Sequence, residues 1–191
     1  MTREIFVASD HHFGHENIIG YCNRPFPNVD EMNETMVERH NSVVRDEDIV
    51  YFLGDVYFGK RGKGFLRRLR GRKRLVLGNH DDAKDSEIAD NFQKILAWRM
   101  FPEFGLLLTH VPVYRGIFLD EHSEERQGKF DLNVHGHLHN KSVMMIKPRT
   151  KKTIIEDPRY RCVSVEHINY TPINLEELRT RGRSVDKSPA A

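Results

Sequence analysis

The feature that most constrains this chain is the residue type found where its short apolar runs end. Five runs rich in Val, Ile, Leu and Phe have the length of buried strands, at residues 5–8, 49–53, 75–77, 106–108 and 132–134. The polar segments that follow them are Ser9-Asp10-His11-His12, Gly54-Asp55, Gly78-Asn79-His80-Asp81, Thr109-His110 and His135-Gly136-His137-Leu138-His139. Because the carboxyl ends of neighbouring strands meet at one crevice in layered α/β folds, we expect these side chains to share one site.

The rest of the apolar pattern predicts a mixed α/β layered fold. Residues 29–44 repeat apolar side chains on one helical face, with Asn28 as N-cap and Glu31 three residues later, and so predict a helix. Residues 65–69 and 88–95 predict two shorter helices. Further strands are predicted at residues 143–146, 153–155 and 162–165, with a last helix from Asn174. We expect one domain over residues 1–183 and a disordered tail at residues 184–191.

Composition and the lengths of the apolar stretches bear on the expected partners and cellular location of the protein. Its 191 residues carry 30 Lys and Arg against 28 Asp and Glu, so attraction to polyanions must come from local clusters. No apolar stretch approaches the ~20 residues that cross a bilayer, and the first residues lack the pattern of a signal peptide. Cys22 and Cys162 form no Cys-x-x-Cys pair and are read as reduced thiols. A cytoplasmic protein without a membrane partner is expected.

The ligand types favour a catalytic metal site. Imidazole nitrogens mixed with carboxylate and amide oxygens, without a thiolate, suit Mn, Fe, Zn, Co or Ni better than a closed structural zinc site. Asp10 and His12 are separated by one residue, as are His137 and His139. On an extended strand, residues at this spacing point to the same side, so strand geometry is expected to bring each pair to one site.

Taken in order, these segments resemble the signature of the calcineurin-like metallophosphoesterases, over residues 5–139. The stretch from Asp10, with Arg24-Pro25-Phe26 after it, is similar to the small stand-alone phosphoesterases of bacteria and phages. The resemblance implies a two-layer β-sandwich flanked by helices, with two divalent metal ions at the carboxyl ends of the strands. Manganese is the first candidate, with Fe, Zn, Ni or Co as others.

The resemblance also assigns roles to residues. One cation would be held by Asp10, His12 and His139, the other by Asn79, His110 and His137, with Asp55 bridging both and His80 beside the leaving group. Two cations about 3.5–4 Å apart convert a bridging water to hydroxide, which attacks the phosphate ester. Asp81 could orient His80, although a cap on the following helix is favoured. Arg24 and His15 are candidate substrate-binding residues, and a capping or packing role fits His15 equally well.

The substrate class is narrowed by one departure from the protein Ser/Thr phosphatases. Those enzymes follow the Gly-Asp segment with an acidic residue and an arginine, where this chain has Phe58 and Gly59. Diesters are therefore favoured, as for a nuclease or a cyclic-nucleotide phosphodiesterase. A phosphomonoesterase acting on a small molecule and a non-catalytic binding scaffold are the alternatives, and the seven filled ligand positions argue against the scaffold.

A run of basic residues bears on the same question. Residues 60–74 contain nine Lys or Arg and no acidic residue. Such a run could contact single-stranded nucleic acid, or it could be the solvated face of an ordinary surface helix. The sequence leaves both readings open.

Overall fold

The computed structural model describes residues 2–118, 130–148 and 152–182. The predicted tail at residues 184–191 lies outside the described residues. The strands are β1 Ile5–Ala8, β2 Ile49–Phe52, β3 Arg72–Val76, β4 Lys94–Leu96, β5 Arg99–Phe101, β6 Leu106–Leu108, β7 Leu132–His135, β8 Met144–Ile146, β9 Ile154–Glu156, β10 Tyr160–Cys162 and β11 Ile173–Asn174. The α-helices are α1 Ile18–Cys22, α2 Val29–Val43, α3 Ser86–Asn91 and α4 Leu175–Gly182. The mixed α/β class is confirmed.

Two larger sheets and one hairpin organise the chain. The first sheet has the order β11-β1-β2-β3-β4, and its strands β1 to β4 run parallel while β11 is antiparallel to β1. The second sheet has the order β10-β7-β6-β5, with only β5 antiparallel to its neighbour. Strands β8 and β9 pair with each other in a separate two-stranded sheet. The parallel strands β1, β2 and β3 therefore end at one edge, as the sequence predicts.

Both faces of the first sheet are buried, in two separate hydrophobic clusters. Val7 and Tyr51 belong to a cluster that also contains Leu108 and Val134 of the second sheet, so this cluster lies between the two sheets. The alternate side chains of β1 and β2 pack with α2, as Phe52 does with Met32, Met36 and other residues of that helix. Burial on both faces explains why these strands read as continuous apolar runs rather than as alternating ones.

Helix α2 confirms the prediction made from its cap. The Asn28 side chain accepts a hydrogen bond from the Glu31 amide (2.9 Å) and donates one to the Glu31 carboxylate (3.1 Å). The two shorter helices were less well predicted. Residues 65–69 form only a 3-10 turn at Leu66–Arg68, after another at Lys60–Gly62. The predicted helix at residues 88–95 is shifted: α3 ends at Asn91, and β4 begins at Lys94.

A buried histidine on α2 gives the fold a pH-dependent stability. His40 is 1% exposed, and its Nε2 donates to the Arg70 carbonyl oxygen (2.9 Å). Burial lowers the pKa of His40 to about 4, despite the opposing effect of that hydrogen bond. The unfolded chain, with an ordinary histidine pKa, therefore takes up the proton first as the pH falls, and stability is lost between about pH 6.5 and 4.

We expect the free energy of unfolding to be about 2 kcal/mol lower at pH 5 than at pH 7 because of His40. Urea unfolding of the metal-free protein at both pH values measures the loss, and His40→Gln, which retains a side-chain donor for the Arg70 carbonyl, should reduce it by that amount. An equal loss in both proteins would contradict the assignment.

None of the described helices has the length and apolar character that a membrane span requires.

Candidate metal centre

The predicted ligands stand in loops that leave β1, β2, β3, β6 and β7, and these loops meet beyond the ends of the strands. The loops after β1 and β2 are tied together by backbone hydrogen bonds from the Asp10 amide to the Gly54 carbonyl and from the His12 amide to the Asp55 carbonyl (both 3.0 Å). The convergence predicted for these strand ends is present.

The conformation that brings the ligands together differs from the predicted one. Asp10, His12, Asp55, His137 and His139 all have positive φ angles, between 50° and 67°. They therefore lie in left-handed bends after the strands, and the expectation that Asp10-x-His12 and His137-x-His139 use strand alternation is wrong. Non-glycine residues adopt this conformation at a cost, and clusters of them occur where the surrounding structure holds a functional site.

The first group of ligand atoms comes from Asp10, His12 and His139. One atom of each lies within 4.8 Å of the other two. Asp10 Oδ2 accepts from the His137 amide (2.9 Å) and the Ser164 hydroxyl (2.8 Å), which leaves Oδ1 for another partner. Burial lowers the pKa of His12 to about 2, so its imidazole is neutral, as a metal ligand must be.

The second group comes from Asn79, His110 and His137. Asn79 Oδ1 lies 2.9 Å from His110 Nε2 and 3.0 Å from His137 Nδ1, and the two nitrogens are 3.2 Å apart. His110 Nδ1 faces the Leu53 carbonyl oxygen at 2.7 Å, and because that oxygen can only accept, Nδ1 carries the proton. His110 Nε2 therefore presents its lone pair toward Asn79 and His137, the orientation typical of a ligating histidine.

Asp55 lies between the two groups. Its Oδ2 is 3.6 Å from His12 Nε2 and 3.5 Å from His110 Nε2, while its Oδ1 accepts from the His80 amide (2.9 Å). One carboxylate oxygen is thus held by the backbone, and the other faces both sets of ligands. This is the position in which a single carboxylate can bridge two cations.

Unpartnered buried atoms test whether these residues fit a metal. Asp10 Oδ1 and both ring nitrogens of His12 are buried and find no hydrogen-bond partner among the described residues. These three are among eleven such atoms in the described residues, and a bound ion is one explanation for those that belong to candidate ligands. The donor set, of imidazole nitrogens, carboxylates and one amide oxygen, also suits divalent transition metals. The residues present therefore fit two cations, although their number and identity stay predictions.

Two glycines of the motifs are required by close packing. A Cβ atom built on Gly78 would overlap the Asp55 carboxylate, and one built on Gly136 would overlap the Ser9 hydroxyl and the Asp10 carboxylate. Any larger residue at these positions would therefore displace a candidate ligand.

Arg24, predicted to bind substrate, is instead enclosed beneath the centre. Its side chain is fully buried and pairs with Glu166 (Nη2 to Oε1, 2.8 Å). It also donates to the carbonyl oxygens of Asp10 (2.7 Å) and His11 (2.9 Å). A guanidinium committed in this way holds the bend that carries Asp10 and His12, and it is not open to an incoming phosphate.

Glu166 is a component of the site that sequence reasoning missed. Its Oε1 lies 3.2 Å from His139 Nδ1, and Cys22 belongs to the same cluster of potential ligands. Burial by itself lowers the pKa of His139, but contacts with Cys22 and Glu166 and the nearby charge of Asp10 raise it to about 10. Without a metal this ring is therefore protonated, and a cation bound by His139 would have to displace that proton. Glu166 stands 142 residues after Arg24 and outside every motif, so no local signal in the sequence marks it.

We expect Arg24→Met to lower the unfolding free energy of the metal-free protein by roughly 3–5 kcal/mol, because the change removes a fully buried cationic partner of the buried Glu166 carboxylate. Urea unfolding measures the loss. Arg61→Met is the matched control, since Arg61 pairs with Glu16 and Asp30 at the surface and should cost under about 1 kcal/mol. A double variant, Arg24→Met with Glu166→Gln, should recover part of the loss, and equal effects of the two single arginine variants would contradict the role given to Arg24.

The remaining predicted residues lie at the outer side of the centre. His80 is exposed, and its ring centroid is 5.5 Å from that of His12. His15 is half-buried, with its ring 5.5 Å from the His12 ring and stacked on Phe58 at 4.3 Å. Both histidines can thus reach a group bound at the ligands. Packing on an aromatic ring, one of the two roles considered for His15, is observed.

Asp81 has neither of the roles considered for it from the sequence. Its carboxylate accepts from the amides of Gly78 (2.8 Å), Asp55 (2.9 Å) and Val56 (3.1 Å), and so ties the loop after β3 to the loop after β2. Helix α3 is capped by Asp85, which accepts from the Glu87 amide (2.8 Å). The favoured helix-cap role for Asp81 is therefore wrong.

Three of the nine basic residues at positions 60–74 pair with acidic side chains of other segments. Arg61 pairs with Glu16 and Asp30, Lys63 with Asp85, and Arg68 with Glu34. Partners from other segments thus neutralise charges that looked unopposed along the sequence, which weakens the case for a nucleic-acid contact there.

Comparisons with known proteins place the chain among relatives. It is 36% identical over 186 residues to the uncharacterised protein MJ1445 of Methanocaldococcus jannaschii, a match covering 91% of this chain and 88% of the relative. The chain belongs to the family of MJ1445. The gene 66 protein of Mycobacterium phage L5 is 31% identical over 169 residues, covering 73% of this chain and 79% of the phage protein. No protein-family model matches the chain.

A solved structure supports the same relationship. The crystal structure of AQ665, a protein of unknown function from Aquifex aeolicus, superposes with a TM-score of 0.68 at 28% identity, covering 94% of this chain and 99% of AQ665. The similarity to AQ665 therefore extends well beyond the segments that carry the candidate ligands.

Proposed function

We propose that the chain is a divalent-metal-dependent phosphoesterase with a dinuclear centre. The observation that carries the proposal is the position of Asp55, whose Oδ2 lies 3.5–3.6 Å from one histidine of each ligand group. The unpartnered atoms of Asp10 and His12 support it. The fold also agrees with a two-layer sandwich, since two sheets share a core and the ligands follow the ends of their strands.

Two bound cations would supply Lewis acidity, lowering the pKa of a water and compensating the charge that develops on the phosphoryl oxygens. The chain's own residues provide the rest. The Asp55 carboxylate lies between the two ligand groups, and its Oδ1 is fixed in place by the hydrogen bond from the His80 amide. His80, exposed beside His12, can donate a proton or hydrogen bond to the departing oxygen.

A preference for diesters is part of the proposal. Phe58 and Gly59 stand where the protein Ser/Thr phosphatases have an acidic residue and an arginine. The Phe58 side chain is 45% exposed and lies near His80. A phosphomonoester carries one more negative charge than a diester. The apolar Phe58 ring cannot compensate that extra charge as an arginine would. The basic run gives little further support to nucleic acid as substrate, because several of its charges are already paired.

A panel of substrates tests the proposed function. Metal-stripped protein reloaded with Mn²⁺, Ni²⁺, Zn²⁺ or Mg²⁺ is assayed on p-nitrophenyl phosphate, bis(p-nitrophenyl) phosphate, cyclic nucleotides, single-stranded DNA and RNA. We expect hydrolysis only after reloading, and faster cleavage of the bis-aryl diester than of the monoester. Faster cleavage of the monoester would favour a phosphomonoesterase, and absence of hydrolysis with every metal would contradict the proposal.

A further inference from the structure

A row of aromatic rings lies directly beside the candidate centre. We name the rings of His15, Phe58 and His80 the aromatic ledge. His15 stacks on Phe58 with centroids 4.3 Å apart and planes 25° apart, and Phe58 meets the His80 ring edge-on at 6.2 Å. Tyr21 of α1 continues the row, with its ring 6.2 Å from His15.

The ledge is in contact with the candidate ligands. The rings of His15 and His80 each lie 5.5 Å from the ring of His12, which is itself 2% exposed. Phe58 is thus separated from a candidate ligand by a single ring. Phe58 is therefore within two ring contacts of a candidate ligand, close enough for a substituent on a bound phosphate ester to approach it.

The backbone that carries the ledge is firmly held. The Phe58 amide donates to the Phe13 carbonyl (2.9 Å), and the Phe13 amide donates to the Val56 carbonyl (3.1 Å). Gly14 and Gly62 touch so closely that a Cβ atom on either would overlap the backbone of the other loop. The Phe58 ring is therefore presented by two interlocked loops, and a preorganised ring of this kind loses little freedom when it binds a ligand.

Exposure makes the ledge unusual for a structural cluster. Phe58 is 45% exposed and Tyr21 73% exposed, while Phe13, on the same pair of loops, is fully buried. An exposed aromatic ring held rigidly beside a polar site is suited to stacking on a planar group, since every aromatic group offers a π-face regardless of its polar substituents.

We propose that the aromatic ledge is a subsite for a planar aromatic group attached to the scissile phosphate ester, either a nucleobase or an aryl group. This inference rests on the proposed function and names the substrate class of that same site. His80 then serves two purposes, since its ring adjoins both Phe58 and the candidate ligand His12. Arg24, buried and paired, plays no part in this recognition.

Matched pairs of ligands test the subsite in the Mn²⁺-loaded protein. AMP is compared with ribose 5-phosphate, and phenyl phosphate with cyclohexyl phosphate, by calorimetric measurement of dissociation constants. We expect the aromatic member of at least one pair to bind about 5- to 100-fold more tightly, the range typical of stacking on one ring. The pair that shows the larger ratio identifies whether the planar group is a nucleobase or an aryl ring.

Variants of Phe58 link the preference to the ledge. Phe58→Leu, which keeps an apolar side chain without a ring, should bring the ratio of dissociation constants close to one, whereas Phe58→Trp should preserve or increase it. Thermal unfolding verifies that both variants fold. Equal binding within both pairs in the wild type, or an unchanged ratio in Phe58→Leu, would overturn the subsite while leaving the phosphoesterase proposal intact. If the Mn²⁺-loaded protein binds none of the four phosphates, the subsite is overturned, and the proposed function fails with it only when the substrate panel is not hydrolysed either.

Discussion

Asp55→Asn is expected to remove most of the bound metal and to lower diester hydrolysis by at least about 10³-fold. The asparagine oxygen can still accept from the His80 amide, but a neutral NH₂ group then replaces the oxygen that faces His12 and His110. Loss of one anionic ligand shared by two cations removes several kcal/mol of charge stabilisation, which corresponds to a rate effect of this size.

Elemental analysis and the rate with bis(p-nitrophenyl) phosphate measure both effects. Asp82→Asn is the matched control, because Asp82 is an exposed carboxylate close in sequence to the site and outside both ligand groups. It should keep its metal and its rate. An Asp55→Asn protein with two metals per chain and normal activity would remove Asp55 from the bridging position.

His80→Ala is expected to leave metal content unchanged and to slow turnover by roughly 10²–10⁴-fold, the usual contribution of a positioned acid. The substitution keeps the backbone amide that donates to Asp55, so the change is confined to the exposed ring. The loss should shrink for a p-nitrophenolate leaving group, which needs little protonation, and grow for an alkoxide. A defect of equal size for both leaving groups would show that His80 is not the acid.

The location of the site could be predicted from the sequence, but its local conformation could not. Buried parallel strands read as apolar runs, and such strands end at a common edge, so their polar ends must converge. The apolar pattern does not predict the left-handed bends at Asp10 and His12. They depend on hydrogen bonds from the next loop and on Arg24, all of which exist only after folding.

Contacts between distant segments account for the other misjudged residues. Arg24 looks available in the sequence because its partner Glu166 comes much later in the chain and in no motif. The sequence predicts a helix over residues 65–69, but the two glycines on either side of it, Gly64 and Gly71, have φ near +90°. Glycine is a poor helix former, and here it permits turns that a helix cannot contain.

In the proposed function, the ligands on either side of Asp55 would hold two divalent cations, which would supply the Lewis acidity for phosphate ester hydrolysis. Titration of Mn²⁺ into metal-stripped protein, with the rate of bis(p-nitrophenyl) phosphate hydrolysis followed at each addition, tests it most directly. We predict no rate without metal and a rate that rises to a plateau at two Mn²⁺ per chain. A plateau at one Mn²⁺, or a rate that does not depend on added metal, would contradict the dinuclear account.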